Sequence, residues 1–150
     1  MSDEPTADAD TPLLDERYLR TEFRTESGSI VASNDVSFSL DRGETLGLVG
    51  ESGAGKSVTA RSIMRLIDSP GEITGGQVVF DGEDLLEKTE GEMRDVRGNR
   101  IAMIPQDPMS ALNPVMTVGE QIVETVRRHQ NVSKSEARRI AFESMEDVGI

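Results

Sequence analysis

At 150 residues the chain is long enough for one domain with an apolar core, or for part of one, and too short for two of ordinary size. Its formal charge is −12, with thirteen Arg against three Lys, an acidic balance that disfavours nonspecific nucleic-acid binding and suits solubility in concentrated salt, as in a salt-loving source. The absence of Cys excludes a disulfide framework and a thiolate metal site, and fits a reducing cytoplasm.

Residues 1–16 read as an acidic, disordered tail: Met1 to Thr11 is rich in Asp, Ala, Pro and Thr, has no apolar periodicity, and lacks the basic and apolar regions of a signal peptide. No apolar run is long enough to span a bilayer. From Arg17 to Leu40 the pattern predicts a small antiparallel unit, with Tyr18, Leu19 and Phe23, then Ile30 and Val31, then Val36, Phe38 and Leu40, and a turn at Glu26-Ser27-Gly28.

A turn at Asp41 to Glu44 leads into the apolar run Thr45-Leu46-Gly47-Leu48-Val49, a predicted strand. It delivers Gly50-Glu51-Ser52-Gly53-Ala54-Gly55-Lys56-Ser57, which fills the pattern G-x-x-x-x-G-K-[ST]. Average residue usage makes a chance match in a chain of this length a roughly one-in-two-hundred event. Glycines let the backbone curl so that successive N–H groups face an anion, and the helix that follows adds the positive end of its dipole. Lys56 can then reach the β- and γ-phosphates, and Ser57 can place its hydroxyl on Mg²⁺.

Lys56 to Ile67 is a predicted helix burying Val58, Ile63, Met64 and Ile67, stopped by Ser69-Pro70-Gly71. Gln77 to Phe80 reads as a strand closed by Asp81-Gly82, and Thr89 with Glu92 opens a short helix to Val96, stopped by Gly98. Ile101 to Ile104 reads as a buried strand, and the three prolines of Pro105 to Pro114 predict an ordered loop. Helices follow over Val118 to Arg128 after Thr117, and over Lys134 to Met145 after Ser133, the second with Ala137, Ile140, Ala141 and Met145 on one face. His129 and the pairs Arg127-Arg128 and Arg138-Arg139 read as solvated, dipole-complementing charges. The apolar ending Val148-Gly149-Ile150 reads as a chain cut short.

Two stretches carry a family resemblance. The run from Ile104 to Ile122, with Gln106-Asp107-Pro108-Met109-Ser110-Ala111-Leu112-Asn113-Pro114 at its centre, resembles the glutamine-loop region of ATP-binding-cassette (ABC) proteins. More narrowly it resembles the ATPase subunits of oligopeptide, dipeptide and nickel importers, which also use the form G-E-S-G-x-G-K-S-V-T seen at Gly50 to Thr59. The resemblance covers about Leu19 to Ile150, and it implies an α/β P-loop NTPase of the ABC type. That fold comprises an antiparallel β subdomain, part of a parallel core and the start of a helical subdomain, here spanning 17–150.

The resemblance further implies ATP held by Gly50 to Ser57 together with Val58, and Mg²⁺ near Ser57 and Gln106. Gln106 would lie beside the attacking water and couple the nucleotide site to the membrane partner. An aromatic of the first strands would stack on adenine; Phe23 is the candidate, Tyr18 the second, and core packing the alternative role for either. Implied partners are permease subunits, a second ABC ATPase subunit and, indirectly, an extracytoplasmic solute-binding protein, at the cytoplasmic face of the membrane and without nucleic acid. The implied function is ATP binding and hydrolysis that energises import of peptides or related small solutes.

The trans-acting L-S-G-G-Q motif and the strand ending in Asp-Glu, which the family places further downstream, are not found, so these residues alone are expected to bind ATP poorly and hydrolyse little. A sheet without its later strands would also expose apolar edges. The alternatives are an ABC-type ATPase without a transport role and a non-catalytic nucleotide-binding fragment. A GTPase is disfavoured by the lack of an N-K-x-D motif.

Overall fold

The computed structural model describes residues 11–150, which divide into two compact units at Met93/Arg94. The first unit is built on an antiparallel sheet of four strands: β1 (Leu14–Thr25), β2 (Gly28–Leu40), β3 (Gly71–Phe80) and β4 (Glu83–Asp84), in the order β2-β1-β3-β4. β1 and β2 form the hairpin expected from their alternation and from the turn at Glu26-Ser27. Of the expected tail, residues 1–10 lie outside the described residues, and Leu14 to Glu16 already belong to β1.

Bulges interrupt both ladders of β1 around Tyr18 and Leu19. Tyr18 takes a left-handed conformation, φ 51°, and its N–H donates to Ser37 Oγ at 2.8 Å. The extra residues keep Glu16, Leu19 and Thr21 buried, although their spacing breaks the period of two. Opposite the bulge, a Cβ on Gly76 would stand 2.6 Å from Leu19 Cα and 2.7 Å from Arg17 O, so this position admits glycine alone. The Gly75-Gly76 pair also hides the strand from a hydrophobic pattern, which is why β3 starts at Gly71 rather than at the expected Gln77.

Helix α1 (Lys56–Ile63) lies against β1 and β2 through hydroxyls: Thr21 Oγ1 and Ser62 Oγ are 2.8 Å apart, and Ser33 Oγ and Thr59 Oγ1 are 3.2 Å apart. Its fully buried residues are therefore Thr59 and Ser62; of the apolar face expected from periodicity only Met64, at the helix end, is buried, while Val58, Ile63 and Ile67 are half-buried. The helix also ends before Ile67. Arg65 turns left-handed at φ 52°, Leu66 N–H donates to Arg61 O, and the Arg65 guanidinium holds the carbonyls of Leu85 and Lys88, contacts remote in sequence. Leu19, Met64, Val78, Phe80, Leu85 and Met93 are buried core residues of this unit.

Two expected strands carry no ladder among the described residues. Thr45 to Val49 makes no strand pairing, and Val49 is 94% exposed; Ile101 makes one isolated parallel bridge with Arg97, while Ile104 is 88% exposed. An apolar run without alternation marks a strand covered on both faces, but backbone pairing depends on a neighbouring strand that local sequence does not contain.

Helix α2 (Glu90–Val96) begins at Thr89, whose hydroxyl accepts from Glu92 N–H while Glu92 Oε2 accepts from Thr89 N–H. In the second unit, the expected ordered loop of prolines contains one 3₁₀ turn, Pro108–Ala111. Helix α3 (Val118–His129) starts with a complete capping box between Thr117 and Glu120, and α4 (Lys134–Asp147) starts at Ser133, which accepts from Glu136 N–H. The expected face of α4 is present, with Ala137 and Ala141 fully buried and Ile140 and Met145 half-buried. Among the described residues no helix is long and apolar enough to cross a membrane.

Candidate functional site

The loop from Gly50 to Ser57 is positioned by β2 at one side and by α1 at its end. Gly53 and Gly55 both have positive φ, 84° and 83°, which a side chain would strain. At Gly55 a Cβ would stand 2.0 Å from Ala32 O, so the loop can rest on the β2 backbone only because this residue is glycine. Ala54 N–H closes a turn onto Glu51 O at 3.2 Å.

Lys56 folds back into this loop. Its Nζ donates to Gly50 O and to Glu51 O, each at 2.6 Å, which fixes the ammonium beside the curl of the backbone. Gly55 is the N-cap of α1, makes no side-chain cap bond, and is followed by a first turn free of acidic residues. The orphan N–H groups of that turn and the ammonium thus concentrate positive potential at one place. The arrangement can bind an anion with several oxygens, which would take the ammonium from the two carbonyls and accept from the loop amides. Ser57 is exposed and Val58 half-buried at the start of the helix.

Phe23 belongs to the same unit and is half-buried near the hairpin turn, where its ring edge lies over Gly71: a Cβ there would be 2.7 Å from Phe23 Cε1 and 2.6 Å from Ile67 Cγ2. It therefore packs against the start of β3. Tyr18 is exposed at the bulge. Gln106 belongs to the second unit, exposed at the bend that precedes the 3₁₀ turn.

His129 is half-buried and not a freely solvated helix end, because its ring covers Gly98, where a Cβ would meet Nε2 at 3.0 Å. Arg139 pairs with Glu136 and Glu143 along α4, as an exposed solubilising charge does. Sequence reasoning missed the hydroxyl contacts that seat α1. Their signal was available: Thr59 and Ser62 stand three apart on the helix, and Thr21 and Ser33 are cross-strand partners.

Comparison with known proteins supplies the family. The model of the ABC transporter family matches residues 33–150. The oligopeptide transport ATP-binding protein OppD of Bacillus subtilis is 49% identical over 141 residues, covering 93% of this chain and 39% of the relative. A probable peptide ABC transporter ATP-binding protein, y4tR of Sinorhizobium fredii, is 51% identical over 151 residues, covering 100% of this chain and 44% of the relative. The chain thus spans about two fifths of the length of the curated relatives it matches. Among solved structures, a dimeric bacterial ABC transporter cassette, MJ0796, superposes with a TM-score of 0.76 at 22% identity, covering 89% of this chain and 56% of that one. An ATP-binding subunit of an ABC transporter superposes with a TM-score of 0.59 at 27% identity, covering 85% of this chain and 46% of that one. A phosphate-type loop between β2 and α1, this fold likeness and a family match over most of the chain agree, and the chain belongs to the ABC transporter family.

Proposed function

We propose that this chain forms the nucleotide-binding part of an ATPase subunit that energises import of peptides, or of related small solutes, through a membrane permease. The observation that carries the reading is the Lys56 ammonium held inside the Gly50 to Ser57 curl at the uncapped start of α1. The printed names of the relatives, peptide transport and import ATP-binding proteins, support the solute class.

In this reading the loop amides and Lys56 bind the ATP phosphates, and Val58 lines the helix beside them. Phe23, already packed at the start of β3, stacks on adenine. Bound Mg²⁺ supplies charge neutralisation on the phosphates, with Ser57 and Gln106 as its protein oxygens. Among the described residues no group of three His, Cys, Asp or Glu side chains forms a metal cage, and none is required, since Mg²⁺ keeps several waters and binds substrate phosphates rather than an all-protein cage. Gln106 orients water and links nucleotide state to the permease. A second ABC ATPase subunit completes the site, at the cytoplasmic face of the membrane, and a solute-binding protein delivers the cargo.

Lys56→Ala tests the site. Loss of a charge-assisted contact to phosphate lowers ATP affinity about 100-fold in equilibrium binding with a fluorescent nucleotide. Equal binding by the parent chain and the variant overturns the assignment.

A further inference from the structure

We propose that Gln121 is a positioning residue for the loop that begins at Gln106, fastening it to α3 so that loop and helix move as one piece; the functional part rests on the role given to Gln106 above. The loop is first organised by local bonds. Asp107 Oδ1 accepts from Met109 N–H at 3.2 Å, Leu112 N–H donates to Met109 O at 3.3 Å, and Asn113 Oδ1 accepts from Val115 N–H at 3.1 Å. These bonds shape the turns locally.

Gln121 attaches the far end of the loop to α3. From the first turns of α3 its Oε1 accepts from Asn113 N–H at 3.0 Å, eight residues back, and its Nε2 donates to Asn113 O at 3.1 Å and to Met116 O at 3.2 Å. Its own backbone N–H is fixed on Thr117 O at 3.1 Å, so the clamp is rooted in the capped first turn of the helix. A primary amide suits this position because it carries an acceptor and a pair of donors in one plane; a carboxylate has no donor and an alkyl group has neither. The clamp ties the far end of the loop to α3, so a displacement imposed at Gln106 is passed to the helix rather than absorbed in the loop.

Amide hydrogen exchange on the whole chain, with Gln121→Leu and Gln121→Glu as variants, tests the proposal. Without nucleotide, Gln121→Leu raises the exchange rate at Asn113 about tenfold or more, while ATP affinity stays within about twofold of the parent because the phosphate loop is untouched. Gln121→Glu gives a pH signature that simple loss of packing does not. Near pH 3.5 the largely protonated carboxyl regains one donor and the protection of Asn113 approaches that of the parent at the same pH, whereas near pH 7.5 the carboxylate faces two carbonyls and protection is lost. With MgATP, exchange across Asp107 to Leu112 slows in the parent and not in Gln121→Leu.

Equal exchange at Asn113 in the parent and Gln121→Leu overturns the clamp. An unaltered nucleotide response in Gln121→Leu overturns the positioning role. A parent chain that binds no ATP instead defeats the proposed function, and the nucleotide-free exchange still decides the clamp.

Discussion

Glu16 is 1% exposed, stands between Phe38 and Val78 in the sheet, and has no hydrogen-bond partner for either carboxylate oxygen. Burial pushes its pKa from the ordinary 4.5 up to about 7. The folded chain therefore holds this proton more tightly than the unfolded chain, and the contribution to stability is fully present below about pH 4.5 and is lost as pH rises to about 7. Glu22, Glu92, Glu120 and Glu136 are lowered by hydrogen bonds, so their effects fall below the ordinary carboxylate range and leave this window to Glu16. We expect the urea midpoint of the first unit to fall between pH 5 and pH 7.5. Glu16→Leu should remove that slope and add about 1–3 kcal/mol at neutral pH. A slope that survives the substitution would place the titration elsewhere.

At the scale of elements, α1 follows the Gly50 to Ser57 loop and is seated by polar contacts. Ser62→Ala leaves the Thr21 hydroxyl buried without a partner, at a cost of about 1–3 kcal/mol, and adding Thr21→Val recovers part of that loss. Strictly additive penalties in thermal or chemical denaturation would show that the two hydroxyls do not stabilise each other. The same pair explains what was legible in advance. The hairpin, the capping box of α2, the Thr117 N-cap of α3 and the alanine face of α4 are local signals within a few residues, and each marks an element that forms. The polar face of α1 escaped a search for apolar periodicity, and its end at Ile63 depends on carbonyls of Leu85 and Lys88 that no local pattern reveals. Ladders for Thr45 to Val49 and for Ile101 to Ile104 fail for the related reason that pairing is non-local. In the candidate site, the curl of Gly50 to Ser57 was legible because its glycines stand within eight consecutive residues. The rest of its support, the Ala32 carbonyl beneath Gly55, lies more than twenty residues upstream.

At the scale of the whole molecule, the formal charge of −12 sets two salt effects against each other. Exposed pairs such as Arg24–Glu72 and Arg139 with Glu136 and Glu143 contribute little in high-dielectric solvent and weaken in salt. Repulsion among the excess carboxylates acts over the whole surface, and it is screened as the Debye length shrinks from about 10 Å at 0.1 M to about 3 Å at 1 M. The ion pairs are contacts within side-chain reach, which screening diminishes least, whereas the repulsion sums over many longer separations. Relief of repulsion should win. Raising potassium chloride from 0.1 M to 1 M at neutral pH is therefore expected to raise the unfolding midpoint by about 3–6 °C. Repeating the titration near pH 5, where part of the carboxylate charge is neutralised, should shrink that rise. A midpoint that is flat or falling with salt at neutral pH would mean that the local pairs outweigh the net charge, and the acidic surface would then contribute solubility without a dependence of the fold on salt.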